Sequence, residues 1–276
     1  MEYGNAAWGL RELPLEEQLK LTQAMGLHLL ELSIANYHRD ALQPDASAEQ
    51  IRQVKALFAQ YDVRPDCGAT GNDFTAGSAA DVRESLDRVK RAADIAAALG
   101  VKVLRIFAGF TSDSLVYGER FDRALEALQL AAEHVRGTGV RLAIETHGGV
   151  AATGDVLHHS ATVTTRIDTM RKLLESLPAA EIGMNYDPAN LAAVGDAAPE
   201  RWFGLFRDRI VLVHLKDFRD VPGGIVPAGC GEGRLDWKAL PAVLKEYDGP
   251  ALIEYELPAD VEDGLRRSLR FLKQNQ

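Results

Sequence analysis

Val82, Leu86, Val89, Ala93 and Ala96, then Gly100, then Val101-Lys102-Val103-Leu104-Arg105-Ile106-Phe107, then Phe121, Leu125, Leu128, Ala132 and Val135 before Gly137: this stretch decides the fold. Its first and last runs step by three and four, the period of a helix with one apolar face, and each closes on a glycine placed for a C-cap. The seven residues from Val101 to Phe107 are apolar apart from Lys102 and Arg105, which suits a parallel strand covered by helices. Helix, strand, helix is therefore the local order.

The same alternation extends in both directions. Ser47-Ala48-Glu49-Gln50 reads as a capping box before Ile51, Val54, Leu57 and Phe58. Ile167, Met170, Leu173, Leu174 and Leu177 mark another helix ending at Pro178. Asp236 is placed to cap a helix carrying Leu240, Val243 and Leu244, and Val261, Leu265, Leu269 and Leu272 mark the last one. Strands are expected at 3–7, 28–34, 62–67, 101–107, 140–145, 182–186, 210–215 and 250–256. Eight β/α units in about 250 residues match the arithmetic of a TIM barrel. The rival doubly wound sheet loses support because no Gly-x-Gly-x-x-Gly follows any early strand. No linker, low-complexity tract or repeat divides the chain. The expected architecture is α/β, one (β/α)8 TIM-barrel domain over residues 1–276.

Composition narrows the function. Hydrophobic residues make up 46% of the 276 and charged residues 26%, an ordinary globular balance that excludes a disordered chain. Acidic residues outnumber basic ones 40 to 31, and a net charge of −9 is repelled by phosphate backbones, which disfavours nucleic acid as a partner. Cys67 and Cys230 are the two cysteines, too few for a disulfide framework and suited to a reducing compartment. The N-terminus shows no secretory signal pattern, and Asp94, Lys102 and Arg105 break the apolar stretch near 92–110, so no membrane span is expected. The reading is a cytoplasmic protein with no membrane partner, and a homo-oligomer is left open.

In such a barrel the chemistry sits at the C-terminal ends of the strands. The fifth strand candidate ends Ala143-Ile144-Glu145-Thr146-His147-Gly148-Gly149, and the sixth runs into Tyr186-Asp187-Pro188-Ala189-Asn190. The seventh ends Val213-His214-Leu215-Lys216-Asp217 and the eighth Leu252-Ile253-Glu254-Tyr255-Glu256. A lone glutamate there is more often a salt-bridge partner than a ligand, and a lone histidine a hydrogen-bonded core residue. Four successive strands each delivering an acid or an imidazole to one end are different. Their carboxylates repel one another unless a cation or proton holds them. Carboxylates with one imidazole are the ligand set of Mn²⁺, Mg²⁺, Co²⁺ or Zn²⁺. Glu254 and Glu256 lie two apart on one face, so register does not choose between them.

The segments Ile-Glu-x-His-Gly-Gly, Tyr-Asp-Pro-x-Asn-Leu, Val-His-Leu-Lys-Asp, Gly-Glu-Gly-x-Leu-Asp-Trp and Ile-Glu-Tyr-Glu resemble the xylose-isomerase-like TIM barrels. That superfamily includes sugar phosphate isomerases/epimerases, ketose 3-epimerases, inosose dehydratases and endonuclease IV. The resemblance spans the chain and is strongest from residue 140 onward. It implies one divalent ion held by Glu145, Asp187, His214 and Glu254, with Glu256 a supporting residue or a loop salt bridge. Where some members carry a histidine three residues after the sixth-strand aspartate, this chain has Asn190, suited to a substrate hydroxyl but a poor ligand for a second zinc.

A single divalent ion that chelates a carbonyl and its neighbouring hydroxyl acidifies the hydrogen on the carbon between them. Glu145 and Glu254 are then the expected catalytic pair, one removing that proton to give a metal-stabilised enediolate and the other returning a proton. The predicted activity is a metal-dependent sugar, polyol or keto-sugar isomerase or epimerase. The alternative is a lyase or dehydratase on a keto-sugar or inosose, which begins from the same enolate. An endonuclease IV-like nuclease is opposed by Asn190 and by the net charge, and a non-catalytic sugar-binding barrel by the complete ligand set. His147, Asn190, Lys216, Trp8 and Trp237 are the expected substrate-binding residues, with Phe107 and Phe110 as further candidate walls. Lys216 has Asp217 or Glu232 as alternative ion-pair partners, and Arg105, at the end of the fourth strand, is placed to bind either substrate or a sheet-end carboxylate such as Glu31. His158 and His159 fall in the stretch 148–165, read as a solvated loop or a lid.

Overall fold

The computed structural model describes residues 1–36 and 42–275. In chain order its strands are β1 (Glu2–Asn5), β2 (Leu32–Ser33), β3 (Cys67–Ala69), β4 (Val103–Ile106), β5 (Arg141–Glu145), β6 (Gly149–Thr153), β7 (Val156–Ser160), β8 (Ile182–Tyr186), β9 (Ile210–Leu215), β10 (Asp217–Val221), β11 (Gly224–Ala228) and β12 (Pro250–Ile253). The helices are α1 (Leu15–Ala24), α2 (Ala48–Gln60), α3 (Ala79–Leu99), α4 (Glu119–Val135), α5 (Ile167–Glu175), α6 (Pro188–Ala193), α7 (Arg201–Phe206), α8 (Ala239–Leu244) and α9 (Val261–Gln274).

Eight strands form one sheet in the order β1-β12-β9-β8-β5-β4-β3-β2, with parallel pairings throughout. Its two edges meet at Asn5, whose N–H donates to the Leu29 carbonyl at 3.1 Å and whose carbonyl accepts from Glu31 N–H at 2.9 Å. The expected TIM barrel is the fold. Local signals act as read: Ser47 and Gln50 cap each other across the first turn of α2. Gly100 ends α3 at φ 84°, a conformation that side chains with a Cβ resist, and Asp236 caps α8 by accepting from Lys238 and Ala239 N–H.

Three expectations need correction. The third strand lies at Cys67–Ala69, not 62–67, because Pro65 has no N–H for a ladder and Asp62 turns the chain at φ 52°. The helix α1 was not among the expected runs, since its buried face mixes Gln18 and Thr22 with Leu19 and Leu21 and so hides the period. The segment read as a loop, 148–165, instead holds the hairpin β6–β7, which joins the hairpin β10–β11 in a second sheet of order β10-β11-β7-β6. Tight turns make both hairpins, Gly154-Asp155 in one and Pro222-Gly223 in the other, with Gly154 at φ 61° and Gly223 at φ 88°.

Period two in the barrel strands sorts core from site. Ala143, Leu212 and Leu252 are fully buried in a small cluster with Ala6, Leu29 and Cys67. Two residues onward on the same strand faces stand Glu145, His214 and Glu254. The apolar layer therefore floors the polar one. Outside the sheet, a larger core packs Leu104, Ile106, Leu142 and Ile144 against helix residues such as Val89, Leu128 and Met170.

Candidate active site

Each polar group reaches the site through a local device. Glu145 is the last residue of β5, and His214 lies one residue before the end of β9. Glu254 follows β12 directly and is held by its N–H donating to the Leu215 carbonyl at 3.0 Å. Asp187 follows β8 and is the N-cap of α6: Oδ1 accepts from Asn190 N–H at 2.9 Å, with Pro188 at the first helical position. That leaves Oδ2 for other work. The Thr146 hydroxyl donates to the Asp187 carbonyl and accepts from its N–H, at 3.1 and 2.9 Å, and so ties β5 to β8 just beneath the site.

Glu145, Asp187, His214 and Glu254 are all buried, and one ligand atom from each lies within 4.8 Å of the others. His214 Nδ1 stands 3.8 Å from Glu145 Oε1 and 3.6 Å from Glu254 Oε2, too far to hydrogen bond and close enough to share one small ion. Asp187 Oδ2 and both ring nitrogens of His214 are buried without a hydrogen bond in this structure. On the far side of the ring, His214 Nε2 lies 3.4 Å from Glu31 Oε1, while Glu31 Oε2 accepts from Ala7 N–H at 3.0 Å. Glu31 thus orients the imidazole from behind. The sequence reading offered Glu31 as a partner for Arg105; the structure gives it to His214. Arg105 instead pairs with Glu145 Oε2 at 3.2 Å and lays its guanidinium over Phe107, 4.3 Å from the ring centre.

Lys216 is buried with its ammonium 3.1 Å from Asp187 Oδ2, 2.6 Å from Glu254 Oε2 and 2.7 Å from Glu256 Oε1. Neither Asp217 nor Glu232 is its partner. Asp217 accepts from Trp237 Nε1 and from four backbone N–H groups, and Glu232 pairs with Arg267. The carboxylates Glu31, Glu145, Asp187, Glu254 and Glu256 outnumber the permanent cations Arg105 and Lys216 among these groups, and the protons answer. Burial pushes the Glu145 carboxyl up to about 7 against the pull of Arg105 and His214. Burial also raises Asp187 and Glu256 above the usual carboxylate range. Burial opposes charge on Glu254 too, yet Lys216 and His214 hold it well below that range. The donor set fits a divalent cation, since excess negative charge, an oriented imidazole and an aspartate oxygen that the cap of α6 leaves to Lys216 converge within 4.8 Å.

The cluster opens on a cavity of about 570 Å³, lined among others by Glu145, His147, Lys216, Glu254 and Glu256. His147 Nδ1 is 2.6 Å from the Gly148 carbonyl, and its ring packs edgewise on Phe107 and Phe110. Burial, helped by Lys216, lowers its pKa to about 3, so it is neutral. Trp8, Phe107 and Phe110 line the cavity as expected of walls. Two expected substrate contacts are placed elsewhere. Asn190 is fully buried and is not among the residues lining the cavity; its Nδ2 donates to Glu145 Oε1 at 3.1 Å. Trp237 donates to Asp217, packs edgewise on Phe271 and lines a separate small cavity with Tyr3 and Tyr247.

His159, in the stretch expected to be a solvated loop or a lid, is carried by β7 to the cavity wall, 5.1 Å from Phe218 between ring centres. Neither ring nitrogen has a partner, and burial with Lys216 nearby lowers its pKa to about 4. Gly148 allows this approach: a Cβ there would stand 2.7 Å from Val194 and 2.9 Å from the Ser160 carbonyl.

The profile of the xylose isomerase-like TIM barrels matches residues 19–275. The chain belongs to that family. No curated protein matches the sequence. Among solved structures, this family member resembles a probable 3-DHS dehydratase from Bacillus anthracis at 15% identity and TM-score 0.78, covering 99% of each chain. It resembles D-allulose 3-epimerase from Methylomonas sp. at 16% identity and TM-score 0.77, covering 100% of this chain and 98% of that one. It also resembles the IOLI protein, solved with a bound zinc atom, at 17% identity and TM-score 0.76, covering 100% and 98%. At these identities the likeness speaks for the fold.

Proposed function

We propose that the protein, acting through residues 1–276 as one barrel domain, is a metal-dependent isomerase or epimerase of a small sugar, polyol or keto-sugar. The carrying observation is the buried set Glu145, Asp187, His214 and Glu254 at the floor of an open cavity. The zinc-bound IOLI structure and the epimerase of similar fold support the same reading. The ion would be Mn²⁺, Mg²⁺, Co²⁺ or Zn²⁺, held by those four residues, and when bound it supplies a Lewis acid that polarises a substrate carbonyl.

The chain's own groups do the rest. His147 and Lys216 reach the cavity and would hold substrate oxygens, with Trp8 as a stacking wall. Glu254 and Glu145 would stand on either side of the reacting carbons, one taking a proton from carbon and the other returning one. Return to the same carbon from the other face is epimerisation, and return to its neighbour is isomerisation. Lys216 and Arg105 keep a positive charge on each glutamate while the substrate carries developing negative charge. A second reading, loss of water from the same enolate, is supported by the resemblance to the probable dehydratase. The two buried free thiols support a cytoplasmic setting. The test is turnover of a panel of ketoses and keto-cyclitols in D₂O. Deuterium at the carbon next to the carbonyl is expected, whereas turnover with none incorporated excludes proton transfer, and a dehydrated product selects the second reading.

A further inference from the structure

The cavity has two unlike halves, and burial separates them. Glu145, Lys216 and Glu254 are 2–3% exposed and form the floor, while Trp8, Phe110 and Val150 are 39%, 36% and 46% exposed and form the mouth. Leu157, Pro227 and Leu257 continue the apolar lining. The second sheet builds part of this wall by register. Val150 stands opposite His159, and Leu157 lies two residues before His159, so one face of the hairpin presents all three to the cavity. A volume of about 570 Å³ falls inside the roughly 300–1,000 Å³ of sites that take ligands larger than one sugar ring.

We infer that the substrate is a keto-sugar or keto-cyclitol carrying a flat aromatic substituent, with its oxygenated head on the floor and the ring against Phe110, Val150 and Leu257. The inference rests on the proposed isomerase or epimerase reading for the head and on the cavity alone for the substituent. Three polar side chains of the lining are already engaged, which favours an aromatic group over a second sugar, while the open ring nitrogens of His159 leave room for a polar group on that aromatic ring. Asn72 exchanges two hydrogen bonds with the Phe107 backbone, at 2.7 and 2.9 Å. Asp73 Oδ1 accepts from both Thr75 N–H and its hydroxyl at 2.8 Å. Arg11 donates to the carbonyls of Trp8 and Glu256 and stacks on the Trp8 ring, its guanidinium carbon 4.4 Å from the centre. A second sugar would bring hydroxyls with few open partners, whereas an aromatic ring asks only for apolar area and ring edges.

The test is calorimetric titration of Mn²⁺-loaded protein with matched methyl and 4-nitrophenyl β-D-glucosides, galactosides and mannosides. At least one nitrophenyl member should bind tenfold or more tightly than its methyl partner. Val150→Ser with Leu257→Ser should cut that gain below threefold while leaving the methyl glycoside unchanged; each single variant, at the same melting temperature as the parent, serves if the double does not fold. Equal binding within every pair, including no heat from either member, overturns the inference, as does a gain that survives in the variants. Deuterium exchange on unsubstituted ketoses without an aryl gain defeats only this inference. An aryl gain without any exchange defeats only the proton-transfer reading.

Discussion

Glu145 and Glu254 differ from Asp187 and His214 in what surrounds them. Each glutamate lines the cavity, whereas Asp187 caps α6 and His214 is braced by Glu31. Glu254→Gln keeps a coordinating oxygen and the same volume but removes a base. It should retain metal, by elemental analysis, and lose about 10²–10⁴-fold in turnover. His214→Ala should lose metal and activity together and leave the Glu31 carboxylate buried without its partner. His159 makes a separate prediction. Its imidazole takes a proton near 6.5 in an unfolded chain and only at about 4 in the fold, so the unfolded state binds more protons between those values. The stability His159 contributes is therefore complete above pH 6.5 and is lost as pH falls toward 4. Urea unfolding at pH 7.5 and pH 5 should show a smaller acid loss in His159→Gln than in the parent, by about 1–2 kcal/mol. Identical pH dependence in both would place the ring in water.

At the scale of elements, the loop between β11 and α8 hangs on one carboxylate. Asp217 accepts from the N–H groups of Phe218, Gly233, Arg234 and Leu235 at 2.8, 3.1, 2.9 and 3.3 Å and from Trp237 at 2.7 Å. Asp217 is also the first residue of β10 and follows Lys216 directly, so the same group ties the second sheet to the site. Asp217→Ala leaves these donors without their acceptor and should cost about 2–4 kcal/mol in denaturant unfolding. Asp217→Asn, which retains one accepting oxygen, should fall between that variant and the parent. The second sheet was readable only in part. Pro222-Gly223 and Gly154-Asp155 are hairpin turns by composition, but the flanking residues Gly149-Val150-Ala151-Ala152-Thr153 are short and largely exposed, without the apolar alternation that marks a strand. Pairing with a hairpin some 60 residues away supplies what the local sequence lacks.

For the molecule as a whole, the site is a place where folding gathers like charges. The apolar layer of Ala143, Leu212 and Leu252 fixes the strands, and the same register brings the carboxylates above it together. A divalent ion should therefore stabilise the fold. At a free concentration about a hundredfold above Kd the gain is about 2.7 kcal/mol, which for a chain of this size raises Tm by roughly 5–10 °C. Chelator treatment should reverse the shift, and Asp187→Ala should show none. A parent protein whose melting is the same with and without metal, after loading is verified, would remove the metal centre from the account. Among the described residues no helix is long and apolar enough to cross a membrane.

The sequence by itself determined the barrel and the end of the sheet at which its polar residues gather. Both follow from repeating rules: helical period three to four, strand period two, and the alternation of the two, which together bring Glu145, Asp187, His214 and the pair Glu254 and Glu256 to one end of one sheet, with the family resemblance pointing to Glu254 of that pair. What it could not decide were pairings between groups far apart in the chain. Arg105 had Glu31 and the substrate as partners by position, and only the closed barrel hands Glu31 to His214 and Arg105 to Glu145. Lys216 had neighbours in sequence, yet strand register turns it toward Glu254 and Glu256. Trp237 followed a loop expected beside the site, but Asp217 holds its indole against Phe271 instead. Periodicity is a property of adjacent residues and survives in one dimension. The choice of a partner depends on distance and burial, which exist only once the chain has closed.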